Sequence, residues 1–392
     1  MTDIGPDPVP LRTIAREWGR IGCIGFGGPP AHIVLLRTLC VQDRAWLPDH
    51  EFEDGIAATN LLPGPASTQL AIFCAWRLRG AVGAVVGGVC FILPGLVMIL
   101  ALSALVLAAH PPLWVAGAAA GAGSAVPAVA LHAARGLIPA SWKRAGDVRR
   151  ARLRWSVYLA AGAVAAATIG PYLVVLLMTC GLTEVASRRW HEGEGGSSRA
   201  VRLIVPGLAP AAATGGLGAL AWVAFKVGAL SYGGGFVIIP LMQHDVVSTY
   251  HWMTGAQFLN AVALGQITPG PVVQTVAVVG YAVAGVGGGL LAAAIAFGPS
   301  FVFVIAGGPH FDRLRGSARI QAFLVGAGAA AIGAIAGSAL PLALALSHLW
   351  QLGVLAVALV CLLVLSRGTV PVLIGAGVLG VVAALAGAPL VR

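Results

Sequence analysis

The stretch Leu61-Leu62-Pro63-Gly64-Pro65-Ala66-Ser67-Thr68-Gln69 interrupts an apolar run, and a second interruption, Gln266-Ile267-Thr268-Pro269-Gly270-Pro271, follows 206 positions later (269 − 63). Proline removes a backbone donor and clashes with the preceding turn, so Pro-Gly-Pro inside a hydrophobic run breaks a helix. The recurrence is not isolated. At the same ungapped shift Gly22 falls on Gly228, Gly27-Gly28 on Gly233-Gly234, Trp46 on Trp252, Phe52 on Phe258, Gly83 on Gly289 and Phe91 on Phe297. Arg20 meets Lys226, and Asn60 meets Gln266. The chain reads as a duplication.

Composition fixes the solvent. Of 392 residues 58% are hydrophobic and only 10% charged, against roughly 25% charged in a soluble domain. Mean hydropathy is +0.90. That leaves too little polar material to cover a globular surface, so the reading is an all-α polytopic membrane protein. Nucleic-acid binding and soluble enzymology are excluded. Gly (54) and Pro (24) are abundant, as suits membrane helices that pack closely and break. The six cysteines are scattered, with no spacing for a disulfide framework or a zinc site. No cofactor or metal is expected. The polar N-terminus has no cleavable signal pattern.

Apolar runs suggest spans at about 13–36, 52–76, 82–108, 112–134 and 155–186, the last split by Gly170-Pro171 into two short helices. The second copy offers 219–242, 255–282, 286–308, 320–346, 351–366 and 369–390, with an extra apolar segment at 203–218. This predicts about 12–13 transmembrane helices. The domains read as a first repeat over 1–187, a cytoplasmic linker plus inverting helix over 188–218, and a second repeat over 219–392.

The positive-inside rule orients the scheme. With Arg12, Arg16 and Arg20 inside, the acid-rich loop 37–54 is expected outside, Arg77 and Arg79 inside, and His110-Pro111-Pro112 outside. The cluster from Arg135 to Arg154 and the segment 188–202 come inside, as does 310–319. The charge pattern flips between the copies, which predicts inverted-topology repeats. The expected location is a bacterial inner membrane, multi-pass, with a cytoplasmic N-terminus.

Broken helices in lipid must line a cavity or be buried in protein. A helix restarting after Pro-Gly-Pro presents free N–H groups and a partial positive charge. That favours an anion near the membrane midplane. The candidate binding residues are Gly27, Gly28, His32, Arg37, Asn60, Pro63, Gly64, Pro65, Ser67 and Gln69 in the first copy. In the second they are Lys226, Gly233, Gly234, Gly235, Gln266, Pro269, Gly270, Pro271 and Thr275. Ser67 and Gln69 are neutral hydrogen-bonding groups suited to oxyanion oxygens. His32 is an ionisable group at membrane depth, able to bind the anion or carry a proton. Arg20 and Lys226 would stand toward opposite faces. No hydrolase triad, P-loop, zincin or haem pattern occurs, so no enzyme activity is expected.

Phe26-Gly27-Gly28-Pro29-Pro30-Ala31-His32 and Leu62-Pro63-Gly64-Pro65-Ala66-Ser67-Thr68-Gln69 resemble the first-half signature of the chromate ion transporter (CHR) family. The stretch from Phe225 to Gly235 and Gly265-Gln266-Ile267-Thr268-Pro269-Gly270-Pro271 resemble its second-half signature. The resemblance covers essentially residues 13–310 and matches the long, two-domain form. It implies a membrane transporter that exports chromate and confers chromate resistance, with sulfate as the competing analogue. Homodimer formation is a further expectation. Departures lie beside the breaks. Asn60 stands where the family often has Gln, Ile267 where it has Ala, and Leu93-Pro94-Gly95 where Leu-Pro-Ser is more usual. They leave the choice of anion open among chromate, sulfate and other oxyanions.

Overall fold

The computed structural model describes residues 9–60, 62–168, 172–191, 216–231, 236–307 and 317–390. Among them every regular element is helical. The chain is an all-helical membrane protein. Among the described residues four stretches are long and apolar enough to cross a bilayer: Ala66–Val106, Leu113–Ala145, Val272–Gly307 and Ala318–Leu344. Leu217–Leu230, Leu349–Val364 and Thr369–Leu385 are shorter apolar helices.

The first copy opens with α1 (Leu11–Ile24), α2 (Pro29–Arg37, prolonged by a π turn Thr38–Asp43), α3 (Asp49–Thr59) and α4 (Ala66–Val106). None of the first three has the ~20 residues that a crossing needs. Nor is α4 one rod. Its 41 residues would reach about 60 Å at the helical rise, twice the hydrocarbon core. Gly80 has φ +59 and leaves the helical region. Beyond it Gly83 lies against the Ala75 carbonyl and Gly88 against Ile72. So α4 is a hairpin of a short arm, 66–78, and a long arm, 81–106.

The short arm also folds back on α3. Gly55 lies against Phe73 and Leu70, and Arg77 pairs with Glu51. Pro63-Gly64-Pro65 is thus the tip of a re-entrant hairpin, not a kink in a span. In the same way α1 and α2 fold back about the break at Gly25–Gly28. Trp18 stacks on Trp46 at 6.4 Å, and Arg44 reaches Glu17 at 3.4 Å. The runs 13–36 and 52–76, expected as crossings, are pairs of short helices. The loop 37–54, expected outside, lies on the same face as Arg77. Arg37 pairs with Asp49 and Glu53 there, so the acids that suggested an outer loop neutralise arginines on the arginine-rich face.

In a background without other cysteines, Glu51→Cys and Arg77→Cys are therefore expected to react with an impermeant thiol reagent from one and the same side. Labelling from opposite sides would refute the hairpin.

After α4 come α5 (Leu113–Ser124), α6 (Val126–Ala145), α7 (Arg149–Thr168) and α8 (Leu173–His191). The second copy has α9 (Leu217–Leu230), α10 (Ile238–Gln243, then a π turn His244–Thr249), α11 (Gly255–Ile267) and α12 (Thr275–Gly307). It closes with α13 (Ala318–Leu344), α14 (Leu349–Leu359, then a π turn Val360–Val364) and α15 (Thr369–Leu385).

Element starts in the second copy match the first at a shift of 206 (217 − 11; 255 − 49). Past the tip the shift becomes 205. The non-helical pair Arg79-Gly80 is matched by Ala284-Gly285 (285 − 80). Gly83 against Ala75 is matched by Gly288 against Gly280. One residue is lost after Pro271, where the second copy opens with a 3-10 turn Val272–Gln274. The ungapped pairs Gly83/Gly289 and Phe91/Phe297 are therefore each off by one. Gln69 corresponds to Gln274, and Pro94-Gly95 to Pro299-Ser300.

Corresponding helices run in opposite directions. The α6–α7 pair is an antiparallel hairpin, with Trp155 Nε1 donating to Ser141 Oγ at 2.9 Å. Along α7, contacts advance along α13: Trp155 packs with Val325 and Ala329, and Ala163 lies against Gly337. So α7 and α13 are parallel, and α13 runs opposite to its counterpart, α5–α6. Each copy also lends its last hairpin to the other. Gly162 of α7 and Gly181 of α8 lie against Ala330 and Phe323 of α13, while Gly380 of α15 lies against Gly117 and Gly121 of α5. Backbones approach through small residues, as expected where lipid gives no hydrophobic drive to association.

Candidate functional site

The two tips meet the opposite copy at its glycine break. Gly64 N–H donates to the Ser231 carbonyl at 3.1 Å, and Gly270 N–H donates to the Gly25 carbonyl at 2.9 Å. These are corresponding bonds in the two copies. The tips can make them because Gly64 and Gly270 sit at φ +124 and +98, a region closed to most side chains. Gly27 and Gly28, at φ +99 and +74, turn the chain into α2.

Around the tips, buried polar atoms lack partners. His32 Nδ1, Thr68 Oγ1, Gln69 Oε1, Ser231 Oγ, Gln266 Nε2, Gln274 Oε1 and Ser300 Oγ make no hydrogen bond within the protein. His32, Thr68, Gln69, Ser231, Gln274 and Ser300 have no exposed surface at all. Each such atom costs about 1–3 kcal/mol if nothing pairs with it. Their concentration at two breaks marks a place built to meet a polar guest or water.

The tips are not alike. At the first, Gln69 Nε2 donates to the Pro63 carbonyl at 2.7 Å. Pro65 precedes the short arm, whose opening N–H groups at Ala66, Ser67 and Thr68 have no intrahelical partner. Ser67 is buried, whereas Asn60 is exposed and Leu62, Pro63 and Ala66 are half-buried. At the second, Gln274 Nε2 donates to the Ile92 carbonyl at 2.8 Å. Thr275 Oγ1 donates to the Val272 carbonyl at 2.8 Å, so this expected ligand caps its own turn. Gln266, Pro269, Gly270 and Pro271 are all buried. His32 Nε2 approaches the Gly25 carbonyl at 2.9 Å and turns its ring edge-on to Phe91.

The cations stay away from the tips. Arg37 is held by Asp49 and Glu53, and Lys226 by Asp245. Among the described residues no ion pair reaches either tip. What the tips themselves present is a helix terminus and neutral side chains, with His32 beside them. Gly233, Gly234 and Gly235 lie outside the described residues, as does most of the segment 203–218.

Ser300 and Gly25, which the structure places at the tips, were not among the residues expected from the sequence. The signal for Ser300 was present in the pair Pro94-Gly95 and Pro299-Ser300, but the ungapped register hid it.

The family described as Chromate transporter matches residues 12–185 and 218–381. The chain is 35% identical to the chromate transport protein of Cupriavidus metallidurans, over 85% of this chain and 82% of that protein. It is 29% identical to a probable chromate transport protein of Synechococcus elongatus, over 84% and 83%. It is 26% identical to a chromate transport protein of Pseudomonas aeruginosa, over 87% and 83%. No solved structure matches it. With both copies matched, the chain belongs to the chromate transporter family.

Proposed function

We propose that the chain exports chromate, a tetrahedral dianion, by alternating access of its two inverted copies about the paired tips. The observation that carries this is the exchange of corresponding hydrogen bonds between each Pro-Gly-Pro tip and the other copy's glycine break. Breaking one pair while keeping the other would open the midplane to one side at a time. Residues 1–187 and 219–392 serve as the two transport repeats, joined by 188–218.

The guest is held by Asn60, Pro63, Gly64, Pro65, Ser67 and Gln69 of the first tip, and Gly27 and Gly28 with Gln266, Pro269, Gly270 and Pro271 form the second tip that closes against it. His32 is the proton-bearing candidate. Arg20 and Lys226 stand toward opposite faces as entry-point cations, while Arg37, set between Asp49 and Glu53, carries no net positive charge to the guest. The described arginines gather on the face that carries the 79–80 and 146–148 turns, which by the positive-inside rule is cytoplasmic. The start of α1, with Arg12 and Arg16, lies there too, in the inner membrane of a bacterium.

Energetics favour efflux. A unit charge crossing 100 mV is worth ~2.3 kcal/mol, so a dianion leaving a negative interior gains ~4.6 kcal/mol. No nucleotide is needed.

The test is labelled chromate flux into inverted membrane vesicles, with the potential set or collapsed and sulfate as competitor. Uptake that saturates, follows the potential and resists sulfate is the expected result. Sulfate flux equal to chromate flux would make the substrate another oxyanion, and non-saturating flux would make the protein a passive channel.

A further inference from the structure

We infer that the oxyanion is bound at one tip only, the first, and that Ser300, supplied by the second copy, is one of its direct ligands. The inference rests on the oxyanion-transport reading and narrows it.

The corrected register pairs Ser300 with Gly95. At the first tip a Cβ placed on Gly64 would stand 3.3 Å from Ser300 Oγ and 2.5 Å from Gln69 Nε2. The Ser300 hydroxyl is fully buried and has no partner. The same holds for the hydroxyls of Thr68 and of Ser231, whose carbonyl receives the Gly64 N–H. Three free hydroxyls, two of them from the second copy, thus accompany the free N–H groups that start the short arm. Hydroxyl and N–H donors are what a tetrahedral oxyanion needs.

The corresponding space at the second tip is already filled. A Cβ on Gly95 would overlap the Pro269 carbonyl oxygen and stand 2.5 Å from Gln274 Oε1. Among the described residues this tip has no free hydroxyl, since Thr268 Oγ1 and Thr275 Oγ1 already donate to the Leu264 and Val272 carbonyls, and its unpartnered atoms are one donor, Gln266 Nε2, and one acceptor, Gln274 Oε1. The Gly25 carbonyl is also there, already taking the Gly270 N–H. Acceptors repel an anion. Access differs in the same sense, since Asn60 is exposed and its counterpart Gln266 is buried. The second tip is then the moving counterpart that seals against the first copy, and the first is the seat.

The experiment uses the full chain, purified, with two readouts. One is thermal stabilisation in detergent by sulfate and by chromate. The other is chromate flux in vesicles as a function of concentration. Loss of one hydrogen bond to a charged ligand predicts, for Ser300→Ala, a KM raised on the order of 10-fold or more and loss of most of the anion-induced shift in Tm. Gln274→Ala is expected to change the maximal rate and leave KM and the Tm shift near wild type. Ser103→Ala, which removes a buried hydroxyl bonded to the Ile99 carbonyl, controls for a lost serine.

A Ser300→Ala protein with unchanged KM and unchanged Tm shift would overturn the inference. So would a Gln274→Ala protein that loses anion binding to the same extent, or a wild type that neither anion stabilises. A wild type stabilised by the anions but carrying no flux would refute transport while leaving Ser300 to be judged by its Tm shift.

Discussion

Gly64→Leu is expected to abolish chromate flux, by on the order of 100-fold, the scale of losing a preorganised anion-stabilising donor, while the protein still reaches the membrane. Two effects combine at this one position. The backbone sits at φ +124, where a side chain costs about 1–3 kcal/mol in strain. The new Cβ also meets Gln69 Nε2 at 2.5 Å, which forces the amide off the Pro63 carbonyl. The tip must either withdraw from Ser231 or reshape the start of the short arm. Gly80 separates strain from site. It too has a positive φ, +59, but a Cβ there meets nothing within 4 Å. Gly80→Ala therefore bears strain without touching the tip and is expected to keep its flux. The measurement is initial chromate uptake per unit of membrane-inserted protein. Flux from Gly64→Leu equal to that of Gly80→Ala would show that the tip is not part of the pathway.

The sequence announced the tips, because Pro-Gly-Pro in an apolar run has few physical readings and the repeat supplied a second instance. It also announced the helical class and the duplication. It did not announce that the helices reverse. A hydropathy window sees 52–76 as one apolar run, and whether a break tilts the chain or turns it back depends on partners far away, such as Gly55 with Phe73. Arg37 was named because it follows His32 by five residues, yet Asp49 and Glu53, four residues apart on one face of α3, claim it. That spacing was legible and went unread. Ser300 was hidden by a single lost residue after Pro271, since an ungapped shift preserves the tips and misaligns everything beyond them. Gln69 and Gln274 look unrelated at 206 and become partners at 205.

The seam between the copies yields the second large effect. Gly333→Leu is expected to cost at least about 3 kcal/mol, the upper range for overpacking, and to lower the folded-to-unfolded ratio on the order of 100-fold. A Cβ at Gly333 would overlap the Leu159 carbonyl oxygen, and one at Gly337 the Ala163 carbonyl oxygen. The obstacle is backbone, which cannot rotate aside as a side chain can, so α7 and α13 must separate along their whole crossing. Gly328 lies on the same helix with nothing within 4 Å of its would-be Cβ. Gly328→Ala is therefore expected to be neutral, or to stabilise by the roughly 0.8–1 kcal/mol of helix propensity that glycine forgoes. The comparison holds helix and residue type constant and varies only what the glycine faces. Because α7 belongs to the first copy and α13 to the second, the damage should appear in both: membrane abundance and detergent Tm fall together for the whole chain. A Gly333→Leu protein with wild-type Tm and abundance would mean that the copies are not held by this crossing. The exchanged hairpins would then be free to part, and the tips would have to carry the union of the two halves by themselves.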